Sequence, residues 1–143
     1  MPAKKLSITL DGSVWAEVAS RLQQNEQNVS GTISRDLDRY YAALERARRS
    51  LREKLSQSEI SAVIDNLNDC WMAEPYSIQL VYANIADGIQ EEGLAQAWGI
   101  DGPALVEKLR TMSFIELCAL VDASERWWNR IANGEKPDFS DAL

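Results

Sequence analysis

Apolar and polar residues alternate along the first ten positions of the chain. The apolar positions are Leu6, Ile8 and Leu10, and the polar positions between them are Lys5, Ser7 and Thr9. A two-residue period that includes β-branched residues is typical of a half-buried strand. The pattern therefore predicts one short strand over residues 4–10.

The spacing of apolar residues becomes helical after residue 12. A first helix is predicted over about residues 13–25 and a second over about residues 31–54, with Ser30 as its cap. The apolar positions at helical spacing are Val14, Val18, Leu22, Ile33, Leu37, Tyr40, Tyr41, Leu44, Ala47 and Leu51.

The remainder of the chain is predicted to be helical throughout. Two capping boxes, Ser56–Glu59 and Ser113–Glu116, mark the starts of two of its helices. The four predicted helices cover about residues 56–71, 75–93, 103–111 and 113–132. From Gly134 onward the chain contains Pro and Asp and is predicted to be a loose tail.

A single strand leaves the backbone groups on both of its edges without partners. The simplest solution is a second copy of the chain, whose strand pairs with the first around a twofold axis. The residues predicted to form the core of this homodimer are Leu6, Ile8, Leu10, Val18, Leu37 and Tyr41. The opposite face of the two-stranded ribbon would carry Lys5, Ser7 and Thr9, which we expect to contact base edges in the major groove of DNA.

The motif from Lys4 to Leu10, followed by a helix and by the motif Val29–Ser34, resembles the ribbon-helix-helix repressors. This superfamily includes the methionine and Arc repressors, and the short plasmid copy-number repressors are the most similar members. The resemblance covers about residues 3–50 and implies base reading by the outward strand residues. It also implies phosphate binding at the start of the second helix, where backbone N–H groups favour anions. The candidate phosphate contacts are Lys4, Ser30, Gly31 and Thr32.

Charge divides the chain into two parts. Residues 1–54 contain ten Lys/Arg and seven Asp/Glu, whereas residues 55–143 contain five Lys/Arg and fifteen Asp/Glu. We therefore predict a DNA-binding and dimerisation domain over residues 1–54 and an acidic domain of about four helices over residues 55–143. A basic run on the second helix adds the further candidate phosphate contacts Arg48, Arg49 and Arg52, although such runs are more often solvated.

The acidic domain resembles no family, and its charge would repel a DNA backbone. We expect this domain to bind a protein partner, a small ligand or a second copy of the chain in place of DNA. The adjacent residues Trp127 and Trp128 point in directions about 100° apart on a helix, so they cannot both face one core squarely. One of the two either lines a partner surface or packs beneath the tail around Phe139.

Several kinds of chemistry find no support in the composition. The chain has no His, which is the commonest general base and metal ligand, and no glycine-rich phosphate loop. Cys70 and Cys118 form no metal-binding pattern and indicate a reducing compartment more than a disulfide. We predict a cytoplasmic protein with no catalytic residues, cofactor or metal, and no segment that spans a membrane.

The pattern as a whole predicts a mainly α-helical protein that acts as a dimeric, sequence-specific transcription regulator of double-stranded DNA. Higher oligomers and the sign of regulation stay open. One alternative is an antitoxin whose acidic domain neutralises a toxin. Another is an adaptor protein that dimerises through its N-terminal part and works through the acidic helices without binding DNA.

Overall fold

The computed structural model describes residues 7–25, 28–67, 87, 89 and 93–143. These residues form six α-helices and one 3-10 helix. The helices are α1 (Gly12–Asn25), α2 (Val29–Lys54), α3 (Gln57–Asn66), α4 (Leu94–Trp98), α5 (Gly102–Arg110), α6 (Phe114–Ala132) and the 3-10 helix (Phe139–Asp141). None of these helices is long and apolar enough to cross a membrane.

The predicted N-terminal strand is wrong. Residues 7–10 have no regular secondary structure, and the described part of the chain contains no strand at all; residues 4–6 lie outside it. A strand needs a second backbone edge to satisfy its N–H and C=O groups, and no described segment of this chain supplies one. The fold class is all-α, so the ribbon-helix-helix architecture and its β-ribbon in the major groove are not found.

The chain divides into two compact units, an N-terminal unit (Met1–Ala42) and a C-terminal unit (Ala43–Leu143). The division lies within α2, whereas the charge pattern had indicated a boundary at residue 54. The reason is that Leu44, Ala47 and Leu51 are buried in the core of the C-terminal unit. The second half of α2 is therefore a packing element of the C-terminal unit.

The core of the C-terminal unit is built from α2, α3, α5 and α6. Its largest fully buried side chains are Leu44, Leu51, Ile64, Leu67, Ile89, Leu105, Leu109, Leu120 and Val63. The tail that was predicted to be loose packs against this core: Ala142 is buried, and the Phe139 ring stacks on Trp127 with ring centroids 4.3 Å apart. The packing explains why the chain is ordered here despite its Pro and Asp residues.

Two further helix boundaries differ from the prediction. α3 ends at Asn66 and not near Trp71, which lies outside the described residues. The short helix α4 was not predicted; it lies between Gly93 and Gly99, which have φ values of 100° and 65°. Such left-handed conformations favour glycine. The predicted helix over residues 75–93 lies outside the described residues, apart from the helical residues 87 and 89.

The predicted capping box at the start of α3 is confirmed and also forms an ion pair. The Ser56 N–H donates to Glu59 Oε2 at 2.8 Å, and the Glu59 N–H donates to Ser56 Oγ at 3.2 Å. Lys108 of α5 donates to Glu59 Oε1 at 2.8 Å. Burial by itself raises the pKa of Glu59, but the hydrogen bonds from Lys108 and Ser56 outweigh it and hold this pKa below its ordinary value of 4.5.

The capping box at the start of α6 is also confirmed. Its glutamate likewise forms an ion pair with a lysine of another helix. The Ser113 N–H donates to Glu116 Oε2 at 2.9 Å, while Glu116 Oε1 accepts from Ser50 at 2.7 Å and from Lys54 at 2.5 Å. Burial raises the pKa of Glu116, and the hydrogen bonds from Lys54, Ser50 and Ser113 more than reverse that effect, so the pKa lies below its ordinary value. The carboxylate thus connects α2 to α6.

We expect the free energy of unfolding to decrease as the pH falls below about 4.5. The pKa values of Glu59 and Glu116 are lowered in the folded state, so their stabilisation is complete above the unfolded-state value of 4.5 and is lost as the pH falls through the folded-state values. Urea unfolding at neutral and acidic pH measures this change. The E59Q/E116Q variant should be less stable at neutral pH. Its free energy of unfolding should also decrease less on acidification than that of an E107Q/E135Q control. An equal decrease in the two variants would contradict the role of Glu59 and Glu116 in the pH dependence.

Candidate self-association and nucleic-acid interface

The N-terminal unit begins with an exposed segment that leads into α1. Asp11 caps this helix, since its Oδ1 accepts from the Ser13 N–H at 2.8 Å and its carbonyl accepts from the Trp15 N–H at 2.8 Å. Hydrogen bonds from the Ser13 hydroxyl and backbone lower the pKa of Asp11. The cap fixes the start of α1 directly after the residues predicted to contact DNA.

α1 and α2 share only a small buried interior within this unit. Among the unit's described residues only Val18 and Thr32 are buried. An ion pair between Arg21 Nη1 and Asp36 Oδ2, at 2.6 Å, joins the two helices at their surface. A pair of helices with so little interior of its own needs further apolar contacts to be stable.

Apolar side chains are concentrated on the surface of the N-terminal unit. Of the nine most exposed large hydrophobic side chains in the described part of the molecule, seven belong to this unit. The seven are Ile8, Val14, Trp15, Val29, Leu37, Tyr40 and Tyr41. The side chain of Ile8 is 60% exposed and that of Leu37 is 47% exposed. Large exposed apolar patches are typical of association sites.

Part of this surface forms an apolar groove of about 770 Å³. The groove is lined by Ser7, Ile8, Thr9, Leu10, Trp15, Val29, Ser30, Ile33, Ser34 and Leu37. No charged side chain is among these lining residues. The groove therefore brings two predicted base-contact residues, Ser7 and Thr9, together with the predicted phosphate contact Ser30.

The start of α2 differs from the prediction. The helix begins at Val29, and its cap is Asn28 and not Ser30: Asn28 Oδ1 accepts from the Gly31 N–H at 2.6 Å. The Asn28 carbonyl accepts from the Thr32 N–H at 3.0 Å. The backbone donors of Gly31 and Thr32 that were expected to hold a phosphate are thus already used.

The side chains of the predicted phosphate contacts differ in exposure and in pairing. Ser30 is exposed, whereas the Thr32 side chain is fully buried and its hydroxyl has no hydrogen-bond partner among the described residues. On the second half of α2, the Arg48 side chain is only 15% exposed and pairs with Glu45 and Asp122, while Arg49 and Arg52 are exposed. Lys4, and the predicted base contact Lys5, lie outside the described residues.

The predicted dimer-core residues also separate into groups. Ile8, Leu37 and Tyr41 are exposed, Leu10 is half-buried, and Val18 is buried within the unit; Leu6 lies outside the described residues. The apolar surface also contains Trp15 and Val29, which were neither in the predicted dimer core nor among the predicted apolar helix positions. Their signals were present, because Trp15 widens the apolar arc of α1 and Val29 opens α2.

The candidate partner residues in the C-terminal unit are both packed. Trp127 is buried and stacked on Phe139, as expected for packing beneath the tail. Trp128 is half-buried, and its Nε1–H donates to the Ile64 carbonyl at 3.3 Å. Packing beneath the tail thus applies to Trp127, and a partner surface at Trp128 stays a prediction.

The comparisons with known proteins add no assignment to this geometry. No protein-family model matches the chain, and neither a curated protein nor a solved structure matches it.

Proposed function

We propose that the protein is a homodimeric DNA-binding transcription regulator that associates and binds DNA through its N-terminal unit. The observation that carries the proposal is the apolar groove. It gathers hydroxyl side chains predicted to contact DNA and apolar side chains that are exposed among the described residues.

A second copy of the chain is the occupant that fits this groove best. The groove offers apolar side chains and hydroxyl groups but no charge, so it suits another apolar surface better than an acidic or basic ligand. The exposed residues of the same unit provide such a surface. Contact between identical surfaces around a twofold axis covers both copies at once, which is the commonest arrangement of oligomers.

The proposed DNA contacts are hydroxyl side chains that line the same groove. The hydroxyl groups of Ser7, Thr9 and Ser30 supply hydrogen-bond donors and acceptors. Lys4 and Lys5 precede this segment directly in the sequence and supply positive charge for phosphates. Twofold symmetry doubles these contacts and implies a palindromic or repeated target site. The excess of acidic residues after residue 54 keeps that part of the protein away from the DNA backbone.

Binding to a labelled DNA fragment from upstream of the protein's own gene, with random-sequence DNA as competitor, tests the proposal. We expect specific binding that weakens about a hundredfold when salt is raised from about 50 to about 200 mM, if the dimer neutralises about four phosphates. Binding selected from a random-sequence duplex library covers the case of a different target site. No selected sequence and no salt dependence, from a protein shown to be folded and dimeric, would contradict DNA binding.

One observation favours a second candidate, an adaptor protein. Two basic residues of α2 form ion pairs within the C-terminal unit, Arg48 with Asp122 and Lys54 with Glu116. Residues 55–143 contain fifteen Asp/Glu and five Lys/Arg, and this excess of acidic residues suits a basic protein partner. In that case the protein would dimerise through the N-terminal unit and bind no DNA, which is the contradicting outcome of the same experiment.

A further inference from the structure

The C-terminal unit contains a small pocket of about 290 Å³. It lies between α2, α6 and the residues that end the 3-10 helix. Its lining residues are Glu45, Arg48, Arg52, Ala123, Arg126, Trp127, Arg130, Asp141, Ala142 and Leu143. We refer to it as the arginine pocket. It is independent of the proposed function, which concerns the N-terminal unit.

Two pairs of arginines meet at the arginine pocket. Arg48 and Arg52 are four residues apart on α2, and Arg126 and Arg130 are four residues apart on α6. This spacing places each pair on one face of its helix. The packing of α2 and α6 in one core thereby concentrates four guanidinium groups around a space equal to about ten water volumes.

Carboxylates neutralise part of this charge. Asp122 Oδ2 lies 2.5 Å from Arg48 Nη2 and 3.3 Å from Arg126 Nη2, so one carboxylate serves two guanidinium groups. Glu45 Oε2 lies 3.2 Å from Arg48 Nη1. These pairs hold the guanidinium groups in position and use only some of their donors, since each group has five N–H bonds.

The other two arginines differ in their pairing. Glu135 Oε2 accepts from Arg130 Nε at 2.8 Å. Among the described residues no carboxylate pairs with Arg52. Asp141 is the remaining acidic residue of the lining, and it forms no ion pair with these arginines within the described part of the chain. Each guanidinium has five N–H donors, so the four arginines have more donors than the carboxylates of Glu45, Asp122, Glu135 and Asp141 have oxygens.

A buried N–H donor of the lining also lacks an acceptor. The Trp127 side chain is only 4% exposed and lines the pocket, yet its indole N–H has no hydrogen-bond acceptor among the described residues. The Arg48 Nε is buried and lacks an acceptor in the same way. Buried polar groups are normally hydrogen-bonded, so two such donors at one pocket indicate a missing acceptor.

We propose that the arginine pocket binds a small oxyanion with at least two negative charges, of the size of pyrophosphate or a small polycarboxylate. Guanidinium groups bind phosphate and carboxylate oxygens through paired hydrogen bonds. The oxyanion accepts from Arg52 and Arg126 at the exposed side and from the Trp127 N–H at the buried side. The volume of the pocket limits the ligand to a small molecule.

Calorimetric titration of the full-length protein with pyrophosphate, and separately with citrate, tests this proposal at low salt. We expect saturable binding of at least one of the two probes, with one site per chain. Binding of pyrophosphate alone would assign the site to phosphates, and binding of citrate alone would assign it to carboxylates. The R52Q/R126Q variant should bind about thirtyfold more weakly, because two charge-assisted hydrogen bonds are lost.

Two further variants separate site binding from general charge effects. The R46Q/R110Q variant removes the same charge outside the pocket and should bind as the wild type does. The W127F variant replaces the indole by a phenyl ring that can still stack on Phe139, so it should retain a cooperative thermal transition while binding severalfold more weakly. No saturation at millimolar probe, or equal weakening in both arginine variants, would overturn the proposal. Displacement of the probe by random-sequence DNA would also overturn it and assign these arginines to DNA phosphates.

Discussion

Replacing Leu37 by aspartate is expected to convert the proposed homodimer into a folded monomer. Leu37 lines the apolar groove and is 47% exposed in the single chain, so the substitution leaves the interior of the unit intact. In the dimer it would bury an unpaired carboxylate, once in each copy, at a cost of about 3 kcal/mol or more per copy. The dimer dissociation constant should therefore rise more than about a thousandfold.

Light scattering after size-exclusion chromatography measures this effect, with circular dichroism to establish that the helices are retained. The matched control is F114D, which places the same charge at an exposed aromatic position of the C-terminal unit. A folded L37D protein that stays dimeric would contradict the proposed association surface. Loss of the dimer in F114D as well would show that the effect does not depend on the groove.

The second large effect is expected from replacing Lys5 and Thr9 by alanine. Each lost base contact costs about 1–3 kcal/mol, and a dimer loses every contact twice. The affinity for the specific DNA site should fall about a thousandfold or more, whereas the affinity for random DNA should fall much less. The dimer should persist, because neither substitution removes an apolar side chain from the groove.

Fluorescence anisotropy with the selected DNA site and with random DNA gives both affinities. The K136A/T111A variant removes the same two residue types from exposed positions of the C-terminal unit and serves as the control. An unchanged ratio of specific to random affinity in K5A/T9A would remove these residues from base recognition. A parallel loss in the control would assign the effect to net charge alone.

Local signals predicted the helices well. The two capping boxes place the starts of α3 and α6 correctly, because Ser56 with Glu59 and Ser113 with Glu116 satisfy backbone groups within four residues of sequence. Helical spacing likewise identified α1 and α2. These features depend on neighbours along the chain, which is why the sequence alone was sufficient for them.

Features that depend on distant partners were missed. The alternation at the N-terminus was interpreted as a strand, although a strand also requires a pairing edge that no local pattern can supply. The tail was predicted to be loose because its order comes from the contact of Phe139 with Trp127, across the unit. Asn28 replaced Ser30 as a helix cap, a choice between neighbouring polar residues that differ little in capping preference.

For the candidate sites, the sequence identified individual residues, whereas their grouping in space required the structure. Ser7 and Thr9 were identified from the sequence, but their location beside Ser30 in one groove required the structure. The spacing of the arginines on α2 and α6 was visible, whereas their meeting at one pocket depends on how the two helices pack. Charge counted along the chain did not reveal that Asp122 pairs with Arg48 and Glu116 with Lys54.

Sedimentation velocity of the wild-type protein over a wide concentration range tests the central claim most directly. The claim is that the apolar surface of the N-terminal unit is covered by a second copy of the chain. The account predicts a species of twice the 16.0 kDa mass of one chain, which persists at high salt because the contact is apolar. A protein that remains monomeric at every concentration while its helices are intact would contradict the account.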